Sequence, residues 1–269
     1  MERMRKSSYV TLAAVVAAIA GTTAPAGAAV NPARAAELGT QAYVYGYPLM
    51  EFLRVRETAT SVACPDQMGN APVNMFSHTP RFARPQDRTV VAPNVDTLYS
   101  IAHLDLADGP VVLSHPDMGD RYFVLQLLDP YTNTLGYIGS RTTGSNAGRF
   151  AITWTGAPST PEPGAETITV AHRFIWIIGR VVATDDPADQ KAANALIRRY
   201  TLSPPGGPLR IDDECVPDAP TQASYPRGLG FLDALSAAME DSPPPERDAA
   251  MLARLAPIGV GPGRRVGSA

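Results

Sequence analysis

Asn94, Asp96, Tyr99 and Arg141 are the groups that acid/base work on a small polar molecule needs: an amide to orient it, a carboxylate to take a proton, a phenol to give one and a guanidinium to hold charge. The first three lie in Pro93-Asn94-Val95-Asp96-Thr97-Leu98-Tyr99-Ser100, at the entrance to a strand-like run. Arg141 lies in Gly136-Tyr137-Ile138-Gly139-Ser140-Arg141-Thr142-Thr143-Gly144. Its small neighbours let a turn approach another strand end, which would aim the guanidinium at the Asn94–Asp96 segment. Held ionised by that arginine, Asp96 would act as a general base or hydroxyl acceptor, with Tyr99 or Tyr131 as donor. The candidate catalytic residues are therefore Asp96, Tyr99 and Arg141, and the candidate binding residues are Asn94, Tyr131, Asn133 and Tyr47. A structural reading stands beside this one and is the commoner case: Asn94, Asp96 and Thr97 close a turn, and Asp96 with Arg141 forms a buried strut. Tyr43 and Tyr47, four residues apart, likewise suit a helix packed into a core better than a substrate platform.

Other chemistries have less behind them. The histidines are His78, His103, His115 and His172. His103 and Asp105 share one face of a strand, and a neighbouring strand carrying His115 would complete a metal or proton-relay cluster, although buried or surface histidines are commoner. No nucleophile elbow, phosphate-binding loop, zinc-protease helix or dinucleotide fingerprint occurs, so no cofactor and no metal is expected. The turn Gly259-Val260-Gly261-Pro262-Gly263 has neither a strand before it nor a helix after it. Only Lys6 and Lys191 are lysines, so a cationic site in the folded part must be built from arginine, which favours forked recognition of carboxylate or phosphate.

The 269 residues allow one large domain or two small ones, and 45% hydrophobic with 18% charged residues describes a globular chain. Twenty-six prolines and 22 glycines make it loop-rich. A net charge of −3 leaves no basic field for nucleic acid. Arg3, Arg5 and Lys6, the apolar stretch Val10–Ala20 and the small residues Ala26 to Ala29 predict a secretory signal peptide over 1–29, cleaved after Ala28 or Ala29. The apolar run is too short for a membrane span. The mature chain, 30–269, is thus expected to be a single soluble domain outside the cytoplasm, with no membrane attachment after cleavage. Cys64 and Cys215 are the only cysteines, and export leaves two readings: one long-range disulfide, or two thiols in separate loops.

Asn31-Pro32 marks a helix start, followed by Ala35, Leu38, Ala42, Tyr45, Leu49 and Phe52 on one face, with a bend near Pro48. Residues 64–86 read as a long ordered loop. Short strands are expected at Thr89–Ala92, Leu98–Leu106, Val111–Ser114, Arg121–Leu128, Leu135–Ile138, Phe150–Trp154, Thr167–Val170 and Phe174–Ala183. Helices follow from Asp186-Pro187 to about Tyr200, at Leu229–Glu240 and at Glu246–Leu255. The fold class is α+β: an antiparallel β-sandwich or bent β-sheet core with an N-terminal helix and C-terminal helices.

This pattern resembles the family catalogued as Domain of Unknown Function 1254. The motifs that carry the resemblance are Ala42-Tyr43-Val44-Tyr45-Gly46-Tyr47-Pro48, Asn94–Ser100, Gly136–Gly144 and Trp176-Ile177-Ile178-Gly179-Arg180. The resemblance implies export and a second β-rich module, Domain of Unknown Function 1214, after a junction like Ile258–Gly263; the chain ends at Ala269 without it. It implies no particular reaction. An apolar face left by the missing module would be covered by a second copy or a separate partner. Two functions stay open: a cofactor-free enzyme acting on a small polar or sugar-like molecule, or an exported ligand-binding or assembly protein. A pocket that holds Asp96 beside a tyrosine or arginine would favour the first.

Overall fold

A computed structural model describes residues 30–266 apart from 89, 91, 159, 160 and 213. The signal-peptide expectation therefore lies outside the described residues. The chain begins with helix α1, Pro32–Ala59, and its start is chemical: the Asn31 side chain accepts from the Arg34 N–H at 2.9 Å, and Pro32 occupies a position that needs no donor. Pro48 lies within the helix. Strands β1 (Ser77–Thr79), β2 (Thr97–Asp105), β3 (Val111–His115), β4 (Phe123–Leu128), β5 (Thr134–Gly139), β6 (Gly148–Trp154), β7 (Glu166–Val170) and β8 (Phe174–Val182) follow. After them come α2 (Pro187–Ile197), β9 (Thr201–Ser203), α3 (Leu229–Asp241) and α4 (Ala249–Leu255). Asp186 caps α2 through the Ala188 N–H at 2.9 Å.

The strands form two sheets, ordered β1-β2-β8-β4-β5 and β7-β6-β3-β9. Both feed one core. Leu98, Leu104, Leu125, Leu127, Ile175, Ile177 and Val181 come from the first, and Val111, Leu113, Phe150, Ile152, Val170 and Leu202 from the second. Strand alternation places these residues inward and leaves Tyr99, Ile101, His103, Asp105, Phe174, Trp176, Ile178 and Arg180 on the outer face of the first sheet, in register as Tyr99 opposite Arg180, Ile101 opposite Ile178 and His103 opposite Trp176. The α+β class stands, with two differences. The β6–β7 pair is parallel rather than antiparallel. The three-residue strands β1 and β9 fall where loop and helix end were expected. Of the strand expected at Thr89–Ala92, residues 89 and 91 lie outside the described residues, while 90 and 92 are bends.

A second apolar cluster joins α1 to the C-terminal helices through Ala42, Leu49, Met50, Phe231, Leu235, Met239, Leu255 and Val260. Gly46 permits the close approach of α1 and α3, since a Cβ there would overlap the Leu235 side chain. The far half of α1 lies on the outer face of the first sheet. Phe52 meets the His103 ring edge-on, and the Arg56 guanidinium sits 4.1 Å above the Phe174 ring. Asp105 locks this contact, accepting from Arg173 through two bonds of 2.6 Å and lying 3.5 Å from Arg56. Burial opposes ionisation of Asp105, but the Arg173 fork, the Ala107 N–H and the charge of Arg56 outweigh it and hold the carboxyl below its ordinary range. Asp105→Asn leaves two guanidiniums short of a counter-charge. The expected cost is about 3 kcal/mol, the low end for breaking a buried pair because Arg173 is 37% exposed. Urea denaturation checks this, and a loss below about 1 kcal/mol would contradict it.

Candidate functional site

Where α1 leaves the outer face of the first sheet, the loop from Cys64 to Val95 folds across it and leaves a half-open cavity of about 240 Å³ between them. The floor is built by strand register: Tyr99 and Ile101 from β2, and Trp176, Ile178 and Arg180 from β8. Met68 and Gly69 form one wall, and Ala83, Val90, Ala92 and Pro93 form the other. The loop is held by its own polar bonds. Asp66 accepts from the N–H groups of Met68 and Asn70 at 2.7 and 2.9 Å, and Ser77 Oγ donates to the Asp66 carbonyl at 2.7 Å. On the other side Arg81 grips Asp87 through bonds of 2.6 and 2.8 Å. That pair and the Arg84 N–H hold the Asp87 carboxyl well below its usual range.

Charge in this cavity is one-sided. Arg81 is neutralised by Asp87, the carboxylate among the lining residues. Arg180 has no ion pair or hydrogen bond to any described residue, and its guanidinium rests 5.7 Å from the Tyr99 ring. The Nε of Arg180 and the Nε1 of Trp176 are both buried without a partner. Trp176 stacks on His103 with ring centroids 5.6 Å apart and planes 10° from parallel. Burial, reinforced by Arg56, pushes the His103 pKa down to about 3, so the ring beneath the tryptophan is neutral.

Of the residues singled out from sequence, only Tyr99 lines the cavity. Its hydroxyl accepts from the Asn94 N–H at 2.9 Å, and the Asn94 side chain accepts from the Asp96 N–H at 2.9 Å, which is the turn-closing role. The Asp96 side chain is exposed, and the bonds Asp96 makes to described residues are those of its backbone, from its N–H to Asn94 and from the Ala183 N–H to its carbonyl. Arg141 does not reach it. Asp96 leads into β2 and Arg141 follows β5, three strand spacings or about 14 Å across the sheet, and the Arg141 guanidinium lies over Tyr122 at 5.3 Å. The expected Asp96–Arg141 pairing is thus corrected by strand order: β8 and β4 separate the two. Tyr131 and Asn133 lie elsewhere, tying the sheet to the C-terminal helices. Tyr131 donates to the Ser242 carbonyl at 2.7 Å, and Asn133 donates to Asp129 at 2.9 Å and accepts from Arg247 at 2.7 Å. Tyr47 is 42% exposed beside Tyr43, which packs against Phe231 at 4.7 Å. His103 and His115 sit in different sheets, so the relay cluster is not assembled. Among the described residues no group of three His, Cys, Asp or Glu side chains is placed to hold a metal.

The family model described as "Protein of unknown function (DUF1254)" matches residues 73–204. That segment is a DUF1254 domain. It contains the floor of the cavity and the Arg81–Asp87 wall, while Met68 and Gly69 come from the residues before it. A crystal structure of the VPA0106 protein from Vibrio parahaemolyticus superposes with a TM-score of 0.63 at 24% identity, covering 86% of this chain and 53% of that one. The likeness shows a shared fold, and this chain spans about half the length of that protein. A second match, an uncharacterized protein from Burkholderia cenocepacia, has 12% identity, a TM-score of 0.28 and covers 62% of this chain and 53% of that one. No curated protein matches the chain.

Arg180 and Trp176 of the DUF1254 segment were not among the residues selected from sequence, although the signal was present. In Trp176-Ile177-Ile178-Gly179-Arg180 every second residue points outward, so an aromatic, an aliphatic and a cation share one strand face. Such a face is half-buried because the far half of α1 and the Cys64–Val95 loop lie over it.

Proposed function

We propose that this chain is an exported, non-catalytic ligand-binding protein that holds a small molecule with a flat apolar body between the outer face of its first sheet and the Cys64–Val95 loop. The observation that carries this reading is the cleft itself: a half-open space floored by Trp176, Tyr99, Ile101 and Ile178, with Arg180 free at its edge. Apolar lining with few convergent polar groups is the usual make-up of a ligand site, and about 240 Å³ is just under the range of about 300–1,000 Å³ for drug-sized ligands, which suits a compound of one or two rings. Catalysis has less support. Asp87 is tied to Arg81, and Asp96 lies in solvent outside the cavity, so no carboxylate stands ready as a base. Export is supported by the charged and apolar start of the chain and by the disulfide between Cys64 and Cys215. No helix among the described residues is long and apolar enough to cross a membrane.

Calorimetric titration with 2-naphthamide and 2-naphthoate tests the reading. Saturable binding of at least one compound is expected, and Ile178→Phe, which fills the floor, should weaken it at least tenfold while leaving the circular dichroism spectrum unchanged. Binding that ignores this substitution, or no saturable binding at all, would overturn it.

A further inference from the structure

We infer that the cavity selects a monocarboxylate, an aromatic or compact aliphatic acid whose carboxylate is clamped by Arg180 while its apolar body lies on Trp176 and Ile178. This rests on the ligand-binding reading above and specifies what the ligand must carry.

The inference follows from charge and donor geometry. Arg180 is a guanidinium facing an apolar cavity, with the Tyr99 ring rather than a carboxylate as its neighbour. A cation with no counter-charge of its own gains more from an incoming anion than one already paired, and a half-buried guanidinium is screened less than one in open water. The other arginine of the lining, Arg81, is already engaged in a two-bond fork with Asp87. One free fork therefore faces the ligand. A single planar fork matches a single carboxylate, whose two oxygens accept two parallel N–H bonds; a phosphate carries more charge and more acceptors than one guanidinium satisfies. The body of the ligand is set by the other walls. Trp176 and Tyr99 offer ring faces, Ile101, Ile178, Met68 and Pro93 offer aliphatic contact, and no free carboxylate lines the space to repel an acid. Gln67 and Thr79 add uncharged polar groups to the rim, but Arg180 is the lining cation without an ion pair, so it is what distinguishes an acid from a neutral ligand.

The test uses two probes of the same shape, 2-naphthoate and its neutral amide, 2-naphthamide, titrated into the protein by calorimetry at low salt. The acid is expected to bind at least tenfold more tightly than the amide. Arg180→Gln should remove that preference by weakening the acid and leaving the amide within about twofold, and Arg180→Lys, which keeps the charge but loses the fork, should restore only part of it. Melting temperatures of both variants within a few degrees of the parent establish that the fold is retained, and the acid/amide ratio on the unaltered protein decides the matter even where a variant fails to fold. Equal binding of acid and amide, or a preference that survives Arg180→Gln, overturns the carboxylate assignment while leaving a ligand cavity in place. Failure of both probes to bind overturns the cavity reading itself.

Discussion

Between pH 6.5 and pH 4 the protein is expected to lose about 6 kcal/mol of stability, most of it through His78 and His103. Both rings are held neutral by the fold. Burial, with a smaller contribution from the charge of Arg198, lowers the His78 pKa to about 4; its Nδ1 lies 2.8 Å from Ser100 Oγ, and its ring stacks on Phe76 at 5.5 Å. Burial and Arg56 lower that of His103 to about 3, and its Nδ1 has no partner. In the unfolded chain each titrates near 6.5, so below that pH the unfolded state binds more protons and gains on the native one. With both rings involved, the slope approaches about 3 kcal/mol per pH unit, and the loss continues until the folded values are reached. His115 and His172 are shifted down as well, chiefly by burial, which adds in the same direction. The lowered carboxyls of Asp87, Asp105 and Asp189, from an ordinary 3.8, and of Glu37 and Glu51, from 4.5, begin to lose their stabilisation about a pH unit above those values and in the same direction, so the histidine slope is read above about pH 5.5. Urea denaturation at half-unit steps from pH 7 to pH 4.5 reads the slope directly. Constant stability across that range would mean that the two rings are solvated.

Loss of the Cys64–Cys215 disulfide is expected to cost about 5 kcal/mol, because the bond closes a loop spanning 151 positions and removes that much freedom from the unfolded chain. Of the two readings open from sequence, the disulfide is the one the structure contains, with the two Cα atoms 6.3 Å apart. It also has a local role. The segment after Cys215 runs beside the end of α1, held by hydrogen bonds from the Ala63 N–H to Asp218 at 3.2 Å, from the Thr221 N–H to Ser61 at 2.8 Å and from the Ala223 N–H to Thr58 at 3.0 Å. Cys64 lies three residues before Gln67, where the cavity wall begins. Cys64→Ser with Cys215→Ser should therefore lower both stability and probe affinity. Denaturation with and without reductant measures the first, and a change below about 1 kcal/mol would show that the loop-closure argument fails here.

Elements with local causes were legible in the sequence. The Asn31-Pro32 and Asp186-Pro187 starts are chemical caps, and both helices begin there. Seven strands lie within two residues of the expected starts, because each is a β-rich run bounded by turn residues, with alternating burial clearest in β2 and β8. What escaped depends on partners distant in the chain. Ser77–Thr79 and Thr201–Ser203 are too short to show alternation and become strands only through pairing with β2 and β3. The parallel β6–β7 pair follows from a loop that carries the chain back before the second strand begins. The candidate site divides the same way. Tyr99 was visible as a phenol beside a turn, yet the pairing of Asp96 with Arg141 assumed a strand adjacency that β8 and β4 interrupt. His103 with His115 failed because the chain changes sheets between β2 and β3. Arg180 and Trp176 were written in an alternating strand, but the loop that turns their face into a cavity has no periodicity to announce it.

The indole N–H groups allow the most direct test of ligand binding on the outer face. The chain has two tryptophans, Trp154 and Trp176; Trp154 Nε1 donates to the Ala171 carbonyl at 3.1 Å, and Trp176 Nε1 has no partner. In a two-dimensional nitrogen–proton spectrum they give two indole signals, assigned with Trp154→Phe. Addition of 2-naphthoate is expected to move the Trp176 signal progressively to saturation and to leave the Trp154 signal in place. A Trp176 signal unmoved at saturating probe, or equal movement of both, would contradict binding at the Trp176–Arg180 cavity.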